Sequence, residues 1–246
     1  MDNFRPDTFG KLNATDYDAQ HDPGTTDSTV ALIAGLVPTG GAVLELAIGT
    51  GRVALPLSQM GFAVSGIEAS AEMVAKMRAK PGGDAIPTVI GDMAEVDIEG
   101  RFDHIFLVFN TLFNLPSQEA QIRCFENVFK HLKPGGTFLI EAFVPNFTGF
   151  TENQRVKTKQ LELDRLCIEA VTNDPVAQVL AFQRVHITAD GMKLVPLPMR
   201  YAYPAEIDLM ARLAGLRRKH RWGGWDKQDF DADSTFHVSV YEKPFS

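Results

Sequence analysis

Apolar positions follow two different rhythms along this chain of 246 residues, and the change between them comes near residue 143. Before it, short runs that are apolar almost throughout, at 43–47, 62–67, 86–90, 102–109 and 137–143, predict five buried strands. Between them, apolar residues recur every three or four positions. That spacing predicts helices over 28–37 with Ser28 as cap, over 52–60, from a Ser70 cap to about Lys80, and over 119–132. Lys133-Pro134-Gly135-Gly136 stops the last of these by proline and glycine chemistry. Pro56 runs against the pattern, since proline inside a helix removes a hydrogen bond. About one turn in, where many donors are unpaired anyway, the cost is small.

Strands alternating with helices imply a parallel sheet covered on both faces. After residue 143 apolar and polar positions alternate over 153–171 and 176–203, with turn signals at Asn173-Asp174-Pro175 and Ala189-Asp190-Gly191, the pattern of antiparallel strands. Helical spacing returns over 205–215, and 237–242 reads as a last strand. The predicted fold is α/β: a doubly wound sheet of about seven strands, mostly parallel, with an inserted antiparallel β cap. Residues 1–143 form the core with a polar, loop-like arm over 1–26, residues 144–203 the cap, and 204–246 the completion of the core. Such a cap lies beside the carboxyl ends of the strands, where open α/β sheets bind ligands.

Composition narrows the partners. Hydrophobic residues at 45% and charged residues at 22% are the balance of a soluble globule. The net charge of −7 argues against a nucleic-acid backbone as partner, and the one basic run, over 217–221, reads as a solvated strand edge or helix end. Cys124 and Cys167 fit neither a disulfide framework nor metal-ligand spacing, so no metal site is expected and Cys124 reads as a buried thiol. The first residues lack the regions of a signal peptide, and no apolar run reaches the ~20 residues needed to span a bilayer. A cytoplasmic protein without membrane contact is expected, with a homodimer as a possible assembly.

The chemistry centres on the turn after the first strand, where Glu45 precedes Gly49-Thr50-Gly51 and a helix follows. Glycines there allow close backbone approach, and a helix N-terminus offers free N–H donors, which makes a nucleotide cradle. Two readings of the turn stand side by side. Gly49-x-Gly51-x-x-Ala54 satisfies a dinucleotide fingerprint, and Glu68 falls about 20 residues on, where an acid can accept both ribose hydroxyls. A pyrophosphate over the glycines would, however, be repelled by Glu45. A ligand with a cationic group favours an acid there, and S-adenosylmethionine carries an ammonium and a sulfonium but no phosphate.

In order, Glu45 before Gly49-x-Gly51, Glu68 after the second strand, Gly91-Asp92 after the third and Lys133-Pro134-Gly135-Gly136 before the fifth resemble the class I S-adenosylmethionine-dependent methyltransferases over roughly 40–142. The resemblance implies a Rossmann-like core and a donor site drawn from Glu45, Ala47, Gly49, Thr50, Gly51, Arg52, Glu68, Ala69, Met73, Asp92, Met93, Phe109 and Asn110. In it Asp92 accepts from the adenine amino group, Met93 lies against the ring, and the segment from Phe109 borders the methyl and the acceptor. Met73 reads equally as core, paired with Met77. The β cap and Tyr17 are similar to the small-molecule N-methyltransferases of antibiotic biosynthesis, in which an N-terminal tyrosine closes over the donor. A histidine often found after the fourth strand in that group is Asn114 here.

The expected activity is therefore in-line methyl transfer to a small organic acceptor, in which alignment and exclusion of water supply much of the rate. A neutral amine needs no strong base, whereas a hydroxyl benefits from one, for which Tyr17, Glu141 and His21 are candidates. No pairing among them is visible in sequence, which mildly favours nitrogen. Phe109, Phe113, Phe143, Phe147 and Phe150 flank the expected mouth, and a few can line an acceptor pocket. The alternatives are a protein that holds the cofactor without transferring methyl, and an NAD-dependent dehydrogenase.

Overall fold

The computed structural model describes residues 4–21 and 23–245. Three helices come first: α1 (Thr8–Asn13), α2 (Tyr17–Gln20) and α3 (Thr26–Ala34). The alternating region follows as β1 (Ala42–Leu46), α4 (Ala54–Gln59), β2 (Ala63–Glu68), α5 (Ala71–Arg78), β3 (Thr88–Ile90), β4 (Phe102–Leu107), α6 (Gln118–His131) and β5 (Leu132–Phe143). Four hairpin-connected strands come next: β6 (Gln154–Leu161), β7 (Arg165–Asp174), β8 (Val179–Thr188) and β9 (Gly191–Arg200). The chain closes with α7 (Pro204–Leu213), β10 (Arg217–Trp222) and β11 (Phe236–Glu242).

The main sheet has seven strands in the order β10-β11-β5-β4-β1-β2-β3. The strands β3, β2, β1, β4 and β5 are mutually parallel, and β11 is antiparallel to both β5 and β10. Chain direction along the sheet reverses between β1 and β4, which opens a crevice at their carboxyl ends. Alternation along each strand feeds two cores. Leu44, Leu46, Ile105, Leu107, Phe138 and Ile140 pack toward α6 and α7, while Val43, Phe106, Leu139, Val238 and Val240 pack toward α3 and α4. Glu45 shares the period-two face of Val43, and Glu141 that of Leu139, so two acids interrupt that apolar layer.

Local chemistry explains the boundaries. Ser70 and Ser117 cap α5 and α6 by accepting from the backbone N–H of Met73 and Ala120. Pro56 is the third residue of α4, among the first-turn positions whose N–H has no intrahelical partner, so it removes nothing. Ser28 does not cap α3: the helix starts two residues earlier and Ser28 lies in its first turn. The 133–136 segment does more than end α6. It enters β5 with Gly135 at φ +76°, and the pairing with β4 slips from Phe102↔Leu132 to His104↔Thr137. The arm, expected as loop, carries α1 and α2.

The cap is a separate four-stranded antiparallel sheet in the order β6-β7-β8-β9. It is anchored at its base by Arg200, buried at the end of β9. Its guanidinium donates to Gln121 on α6 (2.8 Å) and to Glu206 on α7, and Gln121 returns a bond to the Arg200 carbonyl (2.8 Å). The basic run forms the edge strand β10, largely exposed. Among the described residues no helix is long and apolar enough to cross a membrane.

Candidate active site

A cavity of about 360 Å³ lies where the carboxyl ends of β1, β2 and β4, the N-terminal arm and the cap meet, within the range of small-molecule sites. Of the expected donor residues, Tyr17, Ala47, Gly49, Glu68, Ala69, Met73, Asp92, Met93, Phe109 and Asn110 line it. Three non-glycine residues at the tips of β1 and β4, Ala47 (φ 54°), Phe109 (φ 62°) and Asn110 (φ 63°), hold the left-handed conformation. Such strain persists only where surroundings fix it, and it clusters at functional sites. At the tip of β4 the fixing groups are visible. Glu141 accepts from the Phe109 N–H (2.6 Å), and the Asn110 side-chain oxygen accepts from the Phe143 N–H (2.6 Å).

Glu68 is oriented by two backbone donors, the Gly49 N–H on one oxygen and the Ser70 N–H on the other (2.9 Å each). A carboxylate has about four lone-pair positions, so accepting capacity remains for a ligand. Burial raises the Glu68 pKa, and the backbone N–H groups of Ser70, Gly49 and Ala69 oppose the rise. Asp92 accepts from the Ala94 N–H through one oxygen (2.8 Å) and leaves the other.

Five expected residues stand behind the wall. Glu45 is 4% exposed, and its Oε2 is buried with no hydrogen-bond partner among the described residues. Burial holds its pKa well above the ordinary carboxylate range, opposed by the Arg52 charge. Thr50 donates to Asp18 (2.5 Å), and Arg52 donates to Thr26 (2.9 Å) with its guanidinium 5.6 Å from the Phe109 ring. Gly51, at φ +80°, is there for packing, since a Cβ would run into the Met77 side chain. Glu141, read as a candidate base, accepts from the Phe109 amide through one oxygen and is not among the residues lining the cavity.

Tyr17 stacks on His21 (centroids 4.8 Å apart, 10° between planes) and meets Phe9 edge-on. Burial pushes the Tyr17 hydroxyl up to about 12. Burial, reinforced by the Arg184 charge, lowers His21 to about 4. Its Nε2 accepts from Arg184 (3.2 Å), and Arg184 also donates to Glu169 (2.9 Å). The cap side of the cavity is lined by Glu169, Phe182, Arg184, Val195 and Leu197. The sequence places the cap but does not single out these residues, because the side-chain period of a strand says which residues share a face and not which face is inward.

A family model described as a methyltransferase domain matches residues 43–136. The structure of the CcbJ methyltransferase from Streptomyces caelestis is 37% identical and superposes with a TM-score of 0.91, over 98% of this chain and all of that one. This chain belongs to the S-adenosylmethionine-dependent methyltransferases. The cypemycin N-terminal methyltransferase of Streptomyces sp is 28% identical over 205 residues, covering 83% of this chain and 84% of the relative. The dTDP-3-amino-3,6-dideoxy-alpha-D-glucopyranose N,N-dimethyltransferase of Streptomyces fradiae is 30% identical over 120 residues, 48% of this chain and 46% of that one. Related folds have been solved with S-adenosylmethionine bound. Its cationic groups fit a methyltransferase whose crevice is lined by the acids Glu68 and Asp92, with Glu45 behind the wall. Family and geometry together set aside the nicotinamide alternative.

Proposed function

We propose that this methyltransferase acts on the nitrogen of a small organic acceptor seated between the β4 exit and the cap. The observation that carries the reading is the state of the groups able to take a proton. The Tyr17 hydroxyl, at about 12, does not ionise near neutrality. Glu141 is held on the Phe109 amide, and His21 is a weak base that accepts from Arg184. A hydroxyl acceptor would find no strong base, while a neutral amine needs none. The two relatives named for amine-bearing or N-terminal acceptors support the same reading.

In this proposal Glu68 accepts from the ribose hydroxyls, Asp92 and Met93 face the adenine, and Glu45 balances cationic charge beneath the Gly49–Gly51 turn. When bound, the cofactor supplies an electrophilic methyl on sulfur. Phe109 and Asn110 shape the point of transfer, and Tyr17 on α2 covers it and excludes water, so alignment supplies the rate. Matched amine and phenol acceptors of the same carbon skeleton, assayed for S-adenosylhomocysteine, test the assignment. The amine series is expected to react, with a rate that rises through the pKa of the amine itself and shows no inflection between pH 6 and 7 from His21. Turnover of the phenol alone would overturn nitrogen as the acceptor.

A further inference from the structure

The cap does not present a uniform wall. The apolar residues Phe182, Val195, Leu197 and Met199 line the inner cavity only, apart from Val195, which continues outward. Beyond Arg184 the same sheet face opens into a groove lined by Lys159, Arg165, Lys193 and His186. Register explains the sorting: Arg184 and His186 share one face of β8, and His186 lies directly across from Lys193 on β9.

The charge of this groove is opposite to that of the molecule. Among the residues lining the groove, four cations (Lys159, Arg165, Arg184 and Lys193) face two acids (Asp16 and Asp190), in a chain of net charge −7. Glu169 is already matched by Arg184, and Arg165 by Glu162. Lys159 and Lys193 have no ion-pair or hydrogen-bond partner among the described residues. Of the five N–H donors of Arg184, one is given to Glu169 and one to His21, so three remain. His21 and His186 are both held toward the neutral form, chiefly by burial, and add hydrogen-bonding capacity without charge.

We infer that the acceptor carries an oxyanion, a carboxylate or a phosphate ester, at the end remote from the methylated atom, and that Lys159, Arg184 and Lys193 bind it. The inner apolar wall takes the body of the molecule and the guanidinium offers a planar fork to the anion. This inference rests on the proposed seat of the acceptor between the sheet and the cap.

The test uses the full chain saturated with S-adenosylhomocysteine, titrated calorimetrically at low salt with inorganic pyrophosphate and, separately, with glutarate. Binding of at least one is expected, and which of the two binds distinguishes a phosphate from a carboxylate. The double variant K159Q/K193Q changes two exposed side chains, so folding is not at stake. It should weaken binding of that anion about tenfold or more, with affinity for S-adenosylhomocysteine unchanged. No binding of either anion to the wild type, or equal binding to the double variant, overturns the inference. Failure to bind S-adenosylhomocysteine would instead count against the donor site, and an undirected salt effect would weaken both forms equally.

Discussion

At the scale of single residues, Glu45 shows how a site is kept ready at the expense of stability. Its carboxyl lies in an apolar layer with one oxygen unpaired, and burial favours the protonated form. A folded pKa above the unfolded value means that the folded state holds the extra proton, so stability falls as pH rises beyond the ordinary carboxylate value near 4.5. A cationic ligand reverses that preference by favouring the ionised form. Glu45→Gln is expected to raise the Tm of the ligand-free protein at neutral pH and to weaken S-adenosylmethionine binding about tenfold or more. Calorimetry in buffers of different ionisation enthalpy should show proton release on binding by the wild type and its loss in the variant. A Tm lowered by the substitution would contradict this account of Glu45.

Among the elements, the N-terminal arm combines packing in its first helix, where Gly10 lies against Ser70 and Met73, with polar links at its second. Asp18 accepts from Thr50 (2.5 Å) and pairs with Lys80 (2.7 Å), and His21 meets Arg184 of the cap (3.2 Å). These are partly exposed polar contacts, individually worth little and readily broken. An element so attached can open without disturbing the sheet. Asp18→Ala is therefore expected to speed release of S-adenosylmethionine about three- to tenfold, the sum of one hydrogen bond and one exposed ion pair. Stopped-flow fluorescence would measure the off-rate, and thermal unfolding should show little change in Tm. A large fall in Tm with an unaltered off-rate would mean that the arm is structural.

For the molecule as a whole, buried histidines set the response to acid. His104 is fully buried in β4, bonded to Thr137 (2.8 Å), and burial lowers its pKa to about 3. His237 in β11 is also buried, and its pKa is likewise lowered to about 3. A folded pKa below the unfolded one gives stability that is present above about 6.5 and lost as pH falls toward 3, by about 1.4 kcal/mol per pH unit for each group. The raised carboxylates Glu45, Glu68 and Glu141 act in the opposite sense above pH 4.5, so the raw stability curve mixes the two. The difference between wild type and His104→Gln isolates one group. Whatever the variant costs at pH 7.5, denaturant unfolding should show that cost shrinking steadily below pH 6.5. A cost independent of pH would rule out His104 as an acid-sensitive site.

Periodicity determined the sheet and the antiparallel cap, and the order of acids and glycines carried the family resemblance that implied the cofactor. These are local matters: burial writes itself into the spacing of apolar residues, and a Gly-rich turn with flanking acids is contiguous or nearly so. Glu141 and Arg184 mark where that ended. Glu141 sits at the end of an apolar strand, as a base near the acceptor should, yet only the packing of β4 beside β5 shows its oxygen occupied by the Phe109 amide. Arg184 is an ordinary polar position in an alternating strand until the cap folds over the crevice and brings it to His21, 163 residues away. Which strand face turns inward, which acids reach the cavity and which stand behind it depend on contacts between distant segments. Those were decided only when the sheet, the arm and the cap closed on one another.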